Sequence, residues 1–391
     1  MQPADFTLSA GPTTVSPRVM AAMGRPVMYH YDPAFRELFS GTVAKAAQVF
    51  RTREDVILFQ GEAVGALEAA GRSCVRPGME VLNLSSGVFG KGMGEWLRRW
   101  GATVHEVAVP FDDAVSVEAV EEALARHPKV ELVTVVHSET PSGTMNPVDR
   151  IGPLVRAHGA VTLVDCVSSL GGMPFEADDW QLDICVAGAQ KCLSGPPGIS
   201  PLSISSRAWK LIEKNPAAPR GSYLSLLDWK HSYLERGRFP FTPSVSDVYG
   251  LDACLDELLA QGLETSFAHH AAAAAACRAG AQAMGLRLWP RSEAVAANCT
   301  TALALPDDMD DVQVREHVRA RYGVQLSSGQ GAGNLVRIGH MGMTARSLYP
   351  VLGLAALGRG LVDMGLDLDI GAGVNVALDR LSRHAALEAG A

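Results

Sequence analysis

The chain has 391 residues, a formal net charge of −8, and is 47% hydrophobic and 19% charged. That length suits one large and one smaller core and that composition excludes long disordered stretches, while the negative balance gives no electrostatic reason to expect a nucleic acid partner. The seven cysteines are odd in number, scattered and without CxxC spacing, which argues against a disulfide framework or a zinc site and for a reducing, cytoplasmic setting.

The N-terminal MQPADFTLSAGPT lacks a basic segment followed by an apolar core, and no apolar run reaches membrane-spanning length, so neither secretion nor membrane insertion is expected. Short β-branched runs then alternate with helical stretches: Val56 to Phe59, Glu80 to Asn83, Thr103 to Val107, Leu132 to Val136, Val161 to Asp165 and Ile184 to Ala187. This alternation predicts a mostly parallel sheet flanked by helices, with ligands at the turns after the strands' carboxyl ends.

From Gly262 onward the pattern changes to a long helix around His270 to Met284, strands near Thr301 to Leu305 and Leu335 to Ile338, and further helices. The Ala271 to Ala276 run reads as plain helix, because alanine is the strongest helix former. Gly329, Gly331 and Gly333 read as a loop, since they follow the α/β region and lack the spacing of a dinucleotide fingerprint. The expected organisation is an N-terminal segment, 1–20, packing with the small domain, a large α/β domain, 21–262, and a small C-terminal α+β domain, 263–391.

Two segments carry chemistry. VTLVDCVSSLGG and CVAGAQKCLSGPPG each place an ionisable residue, Asp165 and Lys191, where an apolar strand runs out, an expensive place for a charge. Separately they read as a helix cap and a solvent-reaching lysine. Together they suit a pyridine aldehyde, which needs a carboxylate to keep its ring nitrogen protonated and a desolvated amine of lowered pKa to capture it.

The segments AGPTTVSP, HSETPSGTMNP, VDCVSSLGG, the lysine segment and LVRIGHMG, in that order, resemble the class V aminotransferases of the fold type I vitamin B6 enzymes across nearly the whole chain. VMYHYDPAF, QGEAVGALEAA, LNLSSGVFGKG and FPFTPSVSD narrow the likeness to a branch that passes the amino group of pyridoxamine to pyruvate, giving pyridoxal and L-alanine. The resemblance implies a Schiff base on Lys191, Asp165 at the ring nitrogen, Phe89 against the ring face, and Thr140 near the ring hydroxyl. It also implies Arg337 and Gly11 at the substrate carboxylate, and Tyr29 and Phe241 lining the pocket, Phe241 from a partner subunit of a homodimer or homotetramer. No metal is implied.

Three positions depart from the family's pattern. Where most class V enzymes have Gly followed by Thr or Ser to cradle the 5′-phosphate, this chain reads Gly61, Glu62, Ala63. A carboxylate there would repel a phosphate dianion by on the order of 1 to 4 kcal/mol per unit charge at about 4 Å. Ala189 stands where a phosphate-binding serine is common, so pyridoxal and pyridoxamine are expected as substrates bound through Lys191, and tightly held pyridoxal phosphate (PLP) is not. Gln330 replaces an arginine of that branch, which leaves the identity of the oxo acid open. The alternative within the family is a PLP-retaining alanine- or serine-glyoxylate aminotransferase holding phosphate through the partner subunit's Thr242. Outside it stand a lyase on the same fold and a non-catalytic binding domain.

Overall fold

The computed structural model describes residues 3–389, with side chains described to residue 383. Seven strands form the large sheet: β1 (Asp55–Gln60), β2 (Glu80–Ser85), β3 (Thr103–Ala108), β4 (Leu132–Val136), β5 (Val161–Asp165), β6 (Ile184–Val186) and β7 (Ile199–Ile204), in the order β1-β7-β6-β5-β4-β2-β3. The β3-β2-β4-β5-β6 pairings are parallel, whereas β7 runs antiparallel to both β6 and β1. The mostly parallel α/β architecture expected from the alternating pattern is therefore present.

β7 is the strand that the sequence reading left out. Its ISPLSI run contains Pro201, which lacks an N–H and ordinarily demotes a run from a sheet interior. Here all six residues are buried, and the Pro201 carbonyl still accepts a 2.9 Å bond from Ala187 N–H.

The second unit has a four-stranded antiparallel sheet: β8 (Arg287–Leu288), β9 (Thr300–Ala304), β10 (Ser327–Ser328) and β11 (Leu335–Gly339), in the order β8-β9-β11-β10. Its long helix, Leu263–Met284, begins directly after Gly262, which ends the preceding helix, and so starts earlier than the Ala-rich run suggests. The small residues of that helix allow close packing against Ile370–Ala389: a Cβ on Gly280 would lie 2.8 Å from the Gly373 carbonyl. The glycine-rich segment 329–333 is a loop between β10 and β11, turning through positive φ at Gln330 and Gly331.

Burial falls into two main clusters, one running from Val19 to Leu263 and one joining Leu8 to residues between Ala276 and Ala377. Phe6–Thr7 pairs with Val324–Gln325, which ties the N-terminal segment to the second unit. A small third cluster, including Ala10, Cys192, Cys299 and Met341, lies where the two units meet. Among the described residues no helix is long and apolar enough to cross a membrane.

Candidate active site

Because β1, β2, β4, β5 and β6 run the same way, their carboxyl ends open on one edge, and the chemistry-bearing side chains gather there. Asp165 is the last residue of β5, and its Oδ1 accepts a 2.9 Å bond from Val167 N–H. Burial pushes its carboxyl up to about 6, and the charge of Glu62 adds to that, against the opposing pull of Val167 N–H and Lys191.

After β6 the chain passes Gly188, Ala189 and Gln190 before Lys191. A Cβ on Gly188 would come within 2.7 Å of Gln190 Oε1 and 2.9 Å of Val167, so a side chain here would have to displace both. Lys191 Nζ donates a 2.7 Å bond to the Ala10 carbonyl. Burial lowers its pKa, the nearby Arg337 charge lowers it further, and Asp165 partly offsets both, so the free amine becomes easier to reach. Gly11, at φ +99°, lies directly on this side chain: a Cβ there would sit 2.4 to 2.5 Å from the outer atoms of Lys191.

At the end of β1, Gly61 turns the chain into the helix Ala63–Cys74, capped by Glu62. Glu62 Oε2 accepts from Val64 N–H at 2.9 Å and Oε1 accepts from Gln190 Nε2 at 2.7 Å. The carboxylate thus takes the N–H group and the positive helix end that an anionic ligand would otherwise use, while remaining exposed to an incoming group. Ala63 is buried beneath it.

Phe89 lies half-buried in the first turn of the helix Val88–Arg99, which follows β2. After β4 comes a short hairpin, Ser138–Glu139 paired with Thr144–Met145. The Thr140 hydroxyl meets that of Ser168, and the Thr140 carbonyl accepts a 2.8 Å bond from Arg337 Nη1. Arg337 reaches from β11 of the second unit and also donates from Nε to the Ser328 carbonyl at 2.6 Å. Only 2% exposed, it has its pKa lowered to about 10, chiefly by burial, and stays cationic at neutral pH.

Lys191, Asp165, Glu62, Ala63, Phe89, Thr140, Arg337 and Gly11 thus belong to one junction. Tyr29 and Phe241 are placed differently within the single chain: Tyr29 is 67% exposed and packs on His30 and Tyr31, and Phe241 packs on Tyr223 at 4.8 Å between ring centroids. Gln330 is exposed on its loop. Sequence reasoning missed Gln190, Ser168, Glu139 and the Ala10 carbonyl. Ser168 was the most accessible of these, lying in the same VDCVSSLGG run as Asp165, whereas a backbone carbonyl has no signature in sequence. Among the described residues no group of three or more His, Cys, Asp or Glu side chains is placed to hold a metal ion.

Residues 6–350 match the family model of the class V aminotransferases. The chain is 46% identical over 375 residues to pyridoxamine–pyruvate transaminase of Mesorhizobium japonicum, covering 95% of each. It is similar to the crystal structure of pyridoxamine-pyruvate aminotransferase from Mesorhizobium loti, with a TM-score of 0.95, 45% identity and 98% of each chain covered. It is also similar to that of ureidoglycine-glyoxylate aminotransferase from Bacillus subtilis, with a TM-score of 0.91, 30% identity and coverage of 98% of this chain and 99% of the other.

Proposed function

The chain belongs to the class V aminotransferases, with their fold type I architecture, and we propose that within this family it transfers the amino group of pyridoxamine to pyruvate, giving pyridoxal and L-alanine. The observation that carries this reading is the carboxylate of Glu62 at the start of the helix Ala63–Cys74.

That position suits a hydroxyl and does not suit a phosphate. Both oxygens of Glu62 already accept one hydrogen bond, yet a carboxylate has further lone pairs and can accept another from an uncharged 5′-hydroxyl. A phosphate dianion offers only acceptors and negative charge, and the neighbouring Ala189 supplies no hydroxyl to hold it. The rest of the junction fits a B6 ring, which supplies an electron sink while the proton leaves C4′ of pyridoxamine and is delivered to the carbon that becomes Cα of alanine.

The protein's own groups then divide the work. Asp165, ionised above about pH 6, holds the proton of the ring nitrogen. Lys191, whose pKa is lowered by burial, accepts a proton at one carbon and returns it at the other. Phe89 covers a ring face, and Thr140 with Ser168 meets the ring hydroxyl. Arg337 receives the carboxylate of the oxo acid, its fork already oriented by Ser328 and Thr140, and Gly11 leaves room beside Lys191. Tyr29 and Phe241 line the pocket, Phe241 reaching in from the neighbouring subunit of a homodimer or homotetramer of the cytoplasm.

Incubating the purified protein with pyridoxamine and pyruvate, without added PLP, tests this reading. Pyridoxal and alanine should appear in equal amounts; alanine formation that requires PLP contradicts it.

A further inference from the structure

Glu139 is the most deeply buried carboxylate of the junction, at 0% exposure, and no sequence signal marks it. Its two oxygens accept from the backbone of one helical turn: Oε1 from Gly90 N–H at 2.6 Å and Oε2 from Phe89 N–H at 3.1 Å. This helix needs an outside partner, because its N-cap is Gly87, which makes no side-chain cap bond, and its first turn holds no acidic residue. Glu139, distant in sequence, caps it from across the site.

The surrounding glycines are shaped around that carboxylate. A Cβ on Gly87 would lie 2.3 Å from Glu139 Cδ, and one on Gly90 would lie 3.1 Å from Oε1. Gly87 has φ −171°, an extended conformation open to any residue, so the space for Glu139 is what excludes a side chain there. A serine at position 87 could cap the helix locally without burying a charge. The remote carboxylate adds something that a local cap would not, a bond between the Phe89 turn and the hairpin whose next residue, Thr140, receives Arg337.

We propose that Glu139 is a positioning residue for the B6 ring, fixing the Phe89 turn relative to Thr140 so that the ring's face and its hydroxyl edge are held in one register. The proposal rests on the reading of Phe89 and Thr140 as ring contacts given above. Burial pushes the Glu139 carboxyl up to about 7, with the charge of Asp165 adding to it, against the pull of the two N–H donors.

The test is an absorbance titration of the ligand-free protein with pyridoxal, together with its melting temperature and separate KM values for pyridoxamine and pyruvate. Glu139→Gln keeps the size but must turn its NH2 toward one of the two N–H donors. It should weaken pyridoxal roughly tenfold, the size of one lost charge-assisted hydrogen bond, and raise the KM for pyridoxamine while leaving that for pyruvate unchanged. In a Phe89→Ala background the same change should have little further effect on pyridoxal, because Glu139 acts through Phe89. Gly87→Ala, which displaces the carboxylate without removing it, should reproduce the loss and serves as the reporter if Glu139→Gln does not fold. A folded Glu139→Gln or Gly87→Ala protein with unchanged pyridoxal affinity, or effects fully additive with Phe89→Ala, overturns the proposal. A wild-type protein that fails to bind pyridoxal overturns the functional reading instead.

Discussion

Glu62 Oε1 lies 2.7 Å from Nε2 of Gln190, the residue immediately before Lys191, so the helix cap after β1 is joined directly to the lysine turn after β6. The carboxylate that distinguishes this chain is therefore fixed in place beside the reactive amine. Replacing Glu62 with Thr removes the repulsion and adds a hydroxyl. The expected result is PLP affinity higher by on the order of tenfold or more, with pyridoxal affinity reduced, read from absorbance titrations of both ligands. An unchanged preference between the two ligands removes Glu62 from the role given to it.

Lys191→Ala takes away the amine that rests on the Ala10 carbonyl. Turnover and the absorbance change on adding pyridoxal should both be lost, while the fold, read by circular dichroism, is retained. Residual turnover near the wild-type rate places the proton transfer elsewhere.

Arg337 has two tasks, since it faces the junction and also links the Ser328 carbonyl of the second unit to Thr140 of the first. Arg337→Lys keeps the charge but loses the planar fork, and the KM for pyruvate should rise roughly a hundredfold, on the scale of a lost bidentate pair. The melting temperature should fall as well, because the buried Thr140 carbonyl and the partly buried Ser328 carbonyl lose their donor. A normal KM for pyruvate in this variant assigns the carboxylate to another group.

Gln330 turns at positive φ in the exposed loop after β10, close in sequence to Ser328. Gln330→Arg adds a cation near the carboxylate subsite and should lower the KM for pyruvate by about threefold to tenfold, with the gain shrinking at high salt. A KM for pyruvate unchanged by Gln330→Arg places this loop away from the carboxylate subsite.

The pH dependence of pyridoxal binding follows from Asp165, whose carboxyl is raised to about 6 by burial. Below that pH both Asp165 and the pyridine nitrogen carry a proton, and one must leave before the pair can form. Affinity should therefore fall as pH drops through about 6, by up to tenfold per unit. Asp165→Asn should bind pyridoxal more weakly at neutral pH and lose that acid limb; an acid limb kept in Asp165→Asn traces it to another group.

The parts of the site legible in sequence were those carried by local patterns. Asp165 and Lys191 showed because an apolar run ended in a charge, and Glu62 because it replaced a hydroxyl at a helix start. The large sheet showed in its repeating apolar runs, except for β7, where Pro201 imitates a break. Glu139 was not legible, since the turn it caps lies about fifty residues earlier and no local pattern links the two segments. The Ala10 carbonyl beneath Lys191 depends on Phe6–Thr7 pairing with Val324–Gln325, a long-range contact without local periodicity.

The central claim, that this aminotransferase takes the unphosphorylated ring as its substrate, is tested most directly by the absorbance of the purified, dialysed protein titrated with pyridoxal and, separately, with PLP. The account predicts a colourless protein that develops a visible band with pyridoxal at concentrations where PLP has little effect. A yellow protein that keeps PLP through dialysis contradicts it and makes Glu62 a helix cap alone.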